Sequence, residues 1–136
     1  MTPNEPCPCG RTDARGKPLL FARCCGPFLA GQPAPDAHSL MRSRYTAYVL
    51  GDERYLRATW LPETCPPDVS ADPSTRWLGL EVRATQTIDA DHAQVEFVAR
   101  YRVLGRGARL HERSRFVRDA QGLWLYADGT TPGEPA

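Results

Sequence analysis

Four cysteines crowd the first 25 residues of this 136-residue chain and form two close pairs, Cys7-Pro8-Cys9 and Cys24-Cys25. A tetrahedral Zn²⁺ binds four thiolates at about 2.3 Å, and two short cysteine pairs joined by a loop commonly build such a site. A glycine follows each pair, and we expect Gly10 and Gly26 to turn the backbone there with positive φ. The pattern predicts a closed, structural zinc site whose ligands are Cys7, Cys9, Cys24 and Cys25.

Two disulfides or four free thiols are the alternatives for these cysteines, and the cellular compartment bears on the choice. The N-terminus shows neither a basic stretch nor an apolar stretch of a secretory signal, and no run of about 18 apolar residues is present to cross a membrane. We therefore expect a cytoplasmic protein without a membrane partner. Reducing conditions there favour metal ligation, with Cys65 as a lone thiol outside the site.

The charge balance argues against a nucleic-acid partner. Lys and Arg number 17 and Asp and Glu number 16, so the formal net charge is +1. Such a chain has no general positive field for phosphates.

A linker divides the chain into two parts. The segment 31–35, Gly-Gln-Pro-Ala-Pro, cannot continue a helix or a central strand. We predict a zinc-binding head over residues 1–31 and an α+β domain over residues 36–131. The head is too short to bury a core of its own, so it needs a metal to fold.

The body begins with a helical pattern. Asp36 or Ser39 can cap a helix that Gly51 ends, and Asp52 can cap a second short helix that ends before Pro62. Proline-rich residues 62–74 then indicate a loop.

From Trp77 onward the hydrophobic period changes to two, which is typical of strands. In the first strand, Leu78 and Leu80 are predicted to face the core, opposite Trp77. Further strands are predicted over residues 95–103, 109–117 and 123–127, separated by polar turns. Helices followed by an antiparallel meander predict an α+β domain with helices packed on one face of a bent sheet, whose concave side is where ligands sit.

Polar side chains on the strands are candidates for lining that concave side. On the second strand Glu96 and Arg100 share a face, and on the third His111 and Arg115 share one face while Glu112 lies on the other. A set that faces inward offers a carboxylate or imidazole for proton transfer and an arginine for an anion, and His111 is the best single acid–base candidate. The alternative is cross-strand ion pairing on a solvated face.

Aromatic residues complete the candidate set. Five of them either line a pocket for a flat ligand or belong to a simple core: Tyr45, Tyr48, Trp60, Trp77 and Trp124. Beside them, Arg42 and Arg44 on the first helix could reach an anionic partner, but positions two apart point to different faces of a helix. The candidate pocket residues are Glu96, Arg100, His111, Glu112, Arg115, Trp60 and Trp77.

The head resembles the SEC-C motif, a small zinc module, through Cys7-Pro8-Cys9-Gly10 and Cys24-Cys25-Gly26. The usual motif has about eight residues between its second and third ligands, whereas here residues 10–23 intervene. We expect the polar excess, residues 11–16, to bulge outward without moving the ligands.

The resemblance extends along the body. The segments resemble those of the YchJ-like (UPF0225) family of bacterial proteins: LMRSRY at 40–45, Tyr55-Leu56 with Thr59-Trp60, WLGL at 77–80, VEFVARY at 95–101, HERSRF at 111–116 and WLYADG at 124–129. This resemblance implies a cone of helices and bent sheet similar to nuclear transport factor 2 (NTF2), and a bound zinc. It implies no reaction.

Three functional hypotheses remain open. In the first, the zinc head docks onto a protein partner, and the cone holds a small ligand. In the second, the cone is the site of a small-molecule enzyme with acid–base chemistry of the isomerase or dehydratase kind. In the third, the head only stabilises the cone. A homodimer through the open sheet face is a further expectation.

Overall fold

The computed structural model describes residues 1–132 and has an α+β fold. One turn of 3-10 helix, Phe21–Arg23, precedes three α-helices and four β-strands. The helices are α1 (Gly26–Leu29), α2 (Ala37–Leu50) and α3 (Glu53–Ala58). The strands are β1 (Thr75–Asp89), β2 (His92–Val103), β3 (Arg106–Arg118) and β4 (Trp124–Thr130).

Helix α2 begins and ends at residues that favour helix termini. The Asp36 carboxylate accepts a hydrogen bond from the Ser39 backbone N–H at 2.7 Å, so Asp36 is the residue that caps α2. Gly51 ends α2 with φ of 73°, a left-handed conformation that favours glycine. Asp52 caps α3 by accepting from the Tyr55 N–H at 3.0 Å.

The four strands form one antiparallel sheet in the order β1-β2-β3-β4. The strand register shifts at four places, and such bulges increase the bend of the sheet. They lie between Trp77 and Gly79, Val82 and Ala84, Thr87 and Asp89, and Arg115 and Phe116. Helix α2 packs on the concave face. The core between them contains Leu40, Met41, Tyr45, Val95, Phe97, Ala99 and Phe116.

The prediction that Leu78 faces the core is wrong. Leu78 is 49% exposed, while Trp77, Leu80 and Val82 pack against the core. The bulge between Trp77 and Gly79 inserts one residue without a partner, so the inward side changes phase within β1. Regular alternation would put Trp77 and Leu80 on opposite faces of the strand, whereas the bulge places both on the face that packs against the core.

The segment after α3 extends the sheet at its β4 edge. The Tyr126 N–H donates to the Thr59 carbonyl, and the Leu61 N–H donates to the Tyr126 carbonyl, both at 2.8 Å. This short parallel bridge places the Trp60 ring 5.0 Å from that of Tyr126, measured between centroids.

The head packs against α2 and shares its core. The Cys7 N–H donates to the Leu19 carbonyl and the Leu19 N–H donates to the Arg11 carbonyl, both at 2.9 Å. Beyond this pairing, residues 12–16 are exposed and turn outward at Gly16, whose φ is 80°. The four head cysteines are buried in the same hydrophobic cluster as Leu40 and Tyr45, so the head and the body form one packed unit.

Candidate metal centre and ligand cavity

The four head cysteines bring their sulfur atoms together. All four Sγ atoms lie within 4.8 Å of one another, with Cys9 and Cys24 at 3.5 Å and Cys24 and Cys25 at 4.0 Å. Thiolates about 2.3 Å from a tetrahedral ion lie roughly 3.8 Å apart, whereas a disulfide bond is about 2.0 Å long. The cysteines are free thiols arranged at the spacing of metal ligands, so these residues fit a tetrahedral ion.

Contacts within the cluster shift the thiol pKa values in opposite directions. The pKa of Cys9 falls to about 7, first because of its contact with Cys24, and the pKa of Cys7 is also lowered. The pKa of Cys25 is raised, first by its contact with Cys24 and further by burial. The contacts among the four sulfur atoms thus favour the thiolate at Cys7 and Cys9 and the thiol at Cys25. A divalent ion can replace the remaining protons and compensate the negative charge.

The two glycines beside the cysteines play different parts. Gly10 has φ of 75°, as predicted. The expectation of positive φ at Gly26 is wrong, because Gly26 begins α1. A Cβ at Gly26 would lie 2.7 Å from the Phe21 carbonyl oxygen, so this glycine allows a close approach of two backbone segments.

One face of α2 holds the head. Arg42 donates from Nη1 to the Cys9 carbonyl at 2.9 Å, and Arg11 donates to Ser39 Oγ at 2.9 Å. Thr46 Oγ1 lies 3.8 Å from Cys7 Sγ. The cysteine cluster is thereby fixed to residues at helical spacing along α2.

Another face of α2 lines a cavity of about 250 Å³ in the cone. Residues three or four apart point into it, as one side of a helix does. The α2 residues are Met41, Arg44, Tyr45 and Tyr48. The other lining residues are Trp60, Trp77, Phe97, Ala99, Leu110, Glu112, Ser114, Phe116 and Tyr126.

Arg44 places a buried positive charge at the cavity. The residue is only 6% exposed, and burial lowers its pKa. Its Nη1 donates to the Leu56 carbonyl at 2.8 Å and to Thr59 Oγ1 at 2.7 Å. The guanidinium carbon lies 4.9 Å from the Trp60 ring centroid and 4.6 Å from that of Tyr126. Within residues 1–132 no carboxylate forms an ion pair with it.

Glu112 places a carboxylate in the same cavity. Its Oε2 accepts hydrogen bonds from Ser114 Oγ and from Tyr126 Oη, the latter at 3.2 Å. Burial raises the pKa of Tyr126, and the Glu112 charge raises it further, so the phenol stays a donor. A Cβ on Gly129 would overlap the Glu112 carboxyl group. The absence of a side chain at Gly129 therefore makes the room that this carboxylate occupies.

The indole Nε1–H of Trp60 is also unusual. Across the described part of the chain, it is the one fully enclosed side-chain nitrogen or oxygen without a hydrogen-bond partner. A buried donor without a partner costs free energy of folding. Here the donor belongs to a residue that lines the cavity.

The structure separates the predicted pocket residues into two groups. Trp60, Trp77 and Glu112 line the cavity. Glu96, Arg100, His111 and Arg115 lie on the opposite, convex face of the sheet, because side chains alternate along a strand.

On that convex face the four residues form cross-strand contacts. His111 Nε2 lies 2.9 Å from Glu96 Oε2, and Arg115 Nε donates to Asp128 Oδ1 at 2.6 Å. Arg100 lies 3.9 Å from the Glu81 carboxylate. These contacts agree with the alternative stated for these side chains, which was cross-strand ion pairing.

The pocket residues predicted from the sequence do not include Arg44, Tyr126 or Gly129, although Arg44 was considered as a group that reaches an anionic partner. The signal for Arg44 was present, since this charged residue follows Met41 by three positions and precedes Tyr48 by four. A charge within an apolar helical stripe is buried or functional. Gly129 carried no such signal, because its role depends on a neighbouring strand.

No helix within residues 1–132 is long and apolar enough to span a membrane.

Comparison with known proteins identifies both parts of the chain. Residues 36–129 match the family model described as YchJ, middle NTF2-like domain. A UPF0225 protein of Polaromonas sp. (strain JS666 / ATCC BAA-500) is 57% identical in an alignment 135 residues long that covers 96% of this chain and 96% of that protein. One from Ralstonia nicotianae is 55% identical and covers 93% of this chain and 92% of that protein.

Two solved structures share the fold. A SEC-C motif containing protein from Psychrobacter arcticus has a TM-score of 0.79 at 32% identity, covering 98% of this chain and 86% of that one. RPA3114, a SEC-C motif containing protein from Rhodopseudomonas palustris, also has a TM-score of 0.79, at 35% identity, covering 93% and 98%. The chain belongs to the UPF0225 family, with a SEC-C-like cysteine cluster preceding a YchJ-type NTF2-like domain.

Proposed function

We propose that this protein binds a small organic molecule in the cone cavity, and that a structural Zn²⁺ in the head holds the main cavity helix in place. The observation that carries the proposal is the unpaired arrangement of charges in the cavity. Arg44 and Glu112 both line an aromatic enclosure, yet they form no ion pair with each other. Buried charges are costly unless partners satisfy them, and a ligand can supply those partners.

Zinc is the metal that four thiolates in a closed tetrahedron suit best. Cys7, Cys9, Cys24 and Cys25 would hold it and leave no open position for water, so its role would be structural. The head contacts α2 through Ser39, Arg42 and Thr46, while Arg44 and Tyr48 reach the cavity from the same helix. The ion would thus act on the cavity through the position of α2.

A filled cavity tests the binding proposal. Ala99 lines the cavity and is 1% exposed, so Ala99→Phe places a ring where a ligand would lie. Ala84→Phe makes the same change at an exposed position of β1 and is the matched control. Tryptophan fluorescence and thermal shifts would be recorded with single-ring compounds, both charged and neutral.

We expect members of this panel to bind the wild type and Ala84→Phe, and to bind Ala99→Phe at least about tenfold more weakly. Binding by no compound, or equal binding by Ala99→Phe, would contradict the proposal.

Acid–base catalysis in the same cavity is the second candidate, and the position of Glu112 favours it. A carboxylate facing a bound molecule can take a proton from carbon beside a carbonyl group. Cyclic ketones incubated with the protein in D₂O would then exchange those hydrogens, as followed by NMR. Glu112→Gln should abolish the exchange, and exchange that persists in this variant would exclude Glu112 as the base.

A further inference from the structure

We infer that the cavity takes a single-ring carboxylic acid that also carries a hydroxyl or amino group, with the carboxylate on Arg44 and the donor on Glu112. This inference rests on the proposed ligand-binding function and adds the chemical class of the ligand.

The free edge of Arg44 has the geometry for a carboxylate. A guanidinium carries five N–H donors in a rigid fork. Both hydrogens of Nη1 serve Leu56 and Thr59, which leaves Nε–H and Nη2–H without an acceptor among residues 1–132. These two groups lie side by side on one edge, the arrangement that binds a carboxylate through two parallel hydrogen bonds. Since neither nitrogen is fully enclosed although the residue is 94% buried, we place this edge at the cavity.

Glu112 offers the complementary group. Ser114 and Tyr126 both donate to its Oε2, and Oε1 has no donor within the described residues. A carboxylate oxygen accepts and does not donate, so the ligand must bring a hydroxyl or amine to this point. Because Gly129 has no side chain, the Glu112 carboxylate has space to lie on this side of the cavity.

The lining and the volume of the cavity indicate the shape and size of the ligand. Tyr48, Trp60, Trp77 and Phe97 present aromatic surface, which suits a flat apolar ring. An apolar protein cavity of about 150 Å³ holds benzene. The 250 Å³ here therefore suits one ring with two small substituents.

The two charges also explain why one ligand would carry both groups. An anion without a donor would satisfy Arg44 and leave Glu112 Oε1 unpaired, and a phenol would do the reverse. Each omission leaves a polar group of the cavity, buried Arg44 or half-buried Glu112, without a partner from the ligand, and a site built to bind both groups disfavours such a ligand.

The test uses the whole 136-residue chain loaded with metal, and 3- and 4-hydroxybenzoate as probes. Binding is followed by tryptophan fluorescence and calorimetry. Benzoate lacks the donor, phenol lacks the carboxylate, and 4-hydroxybenzamide is a neutral isostere of 4-hydroxybenzoate. We expect at least one hydroxybenzoate to bind at least about tenfold more tightly than each of these three compounds.

Variants assign the two ends of the ligand. Arg44→Lys should weaken hydroxybenzoate binding at least about tenfold, because an ammonium cannot present the two-pronged edge. Glu112→Gln should remove the preference for hydroxybenzoate over benzoate. Glu96→Gln changes a carboxylate on the convex face and should bind as the wild type does. If Arg44→Lys does not fold, the comparison of acid with amide on the wild type decides the question.

The outcomes separate the two levels of the proposal. Tight binding of phenol or the amide, blocked by Ala99→Phe, would overturn the assigned ligand class and leave the binding function standing. Binding by none of the compounds would overturn both. Equal affinity for acid and amide would remove Arg44 from the role given to it.

Discussion

At the scale of single residues, two arginines on α2 act on different parts of the molecule. Arg42 contacts the Cys9 carbonyl and His38, whereas Arg44 is buried at the cavity between the rings of Trp60 and Tyr126. Positions two apart on a helix point in nearly opposite directions. On the same helix, Arg42 therefore contacts the head and Arg44 lines the cavity.

A second residue-scale feature is the Glu96 carboxylate on the convex face. Hydrogen bonds from His111 and then from Arg113 hold its pKa below its ordinary value of 4.5. The resulting stabilisation is present above that value and is lost as the pH falls through the lower, folded-state pKa.

We predict that an NMR titration of the wild type places the Glu96 pKa below 4.5. His111→Asn should raise it more than Arg113→Gln does, because His111 is the larger cause. A wild-type pKa at or above 4.5, or a larger effect of Arg113→Gln, would contradict this assignment.

At the scale of elements, local patterns predicted most boundaries. Asp36 and Gly51 enclose α2, and strict alternation from Val95 to Val103 predicted β2 because each residue there lies regularly paired between β1 and β3. The inward side of β1 could not be predicted at Leu78, since a bulge has no signature in hydrophobicity. The prediction of positive φ at Gly26 was wrong for a related reason. Gly26 is needed for the close approach to the Phe21 backbone, and the local sequence contains no sign of that contact.

The turn between the cysteine pairs and α1 provides an element-scale prediction. Gly26→Ala would bring a Cβ within 2.7 Å of the Phe21 carbonyl oxygen, a backbone atom that moves only with its segment. We expect a loss of roughly 1–3 kcal/mol in the free energy of unfolding and faster metal loss from the loaded protein. Denaturant unfolding and a chelator competition would measure the two effects.

Gly107→Ala is the matched control for this change. Gly107 lies in β3 without positive φ, and a Cβ there would meet no atom within 4 Å. If both variants unfold at the same denaturant concentration and release metal equally, the close approach at Gly26 carries no such cost.

At the scale of the whole molecule, the head, α2 and the cavity form one continuous structure. The cysteine cluster and the concave face of the sheet belong to the same hydrophobic cluster, with α2 between them. This arrangement could not be predicted from the sequence, because the linker at 31–35 suggested two separate parts. A protein partner for the head, a homodimer and a cytoplasmic location stay predictions.

The tryptophans report on this continuity. The head contains none, while Trp60 and Trp77 line the cavity. The third tryptophan, Trp124, lines another cavity together with Phe28 and Leu29, so the emission is recorded on a Trp124→Phe variant. In that variant any change on metal removal must pass through the packing between the head and the body.

Metal analysis of the chain, with chelation followed by thiol titration, tryptophan emission and thermal unfolding, tests whether a metal in the head holds the cavity in place. We predict one Zn²⁺ per chain and, on its removal, four newly reactive thiols, a Tm lower by roughly 10 °C or more and a shifted emission. A protein that binds no zinc, or that releases zinc with its Tm and emission unchanged, would contradict the claim that the metal holds the cavity in place.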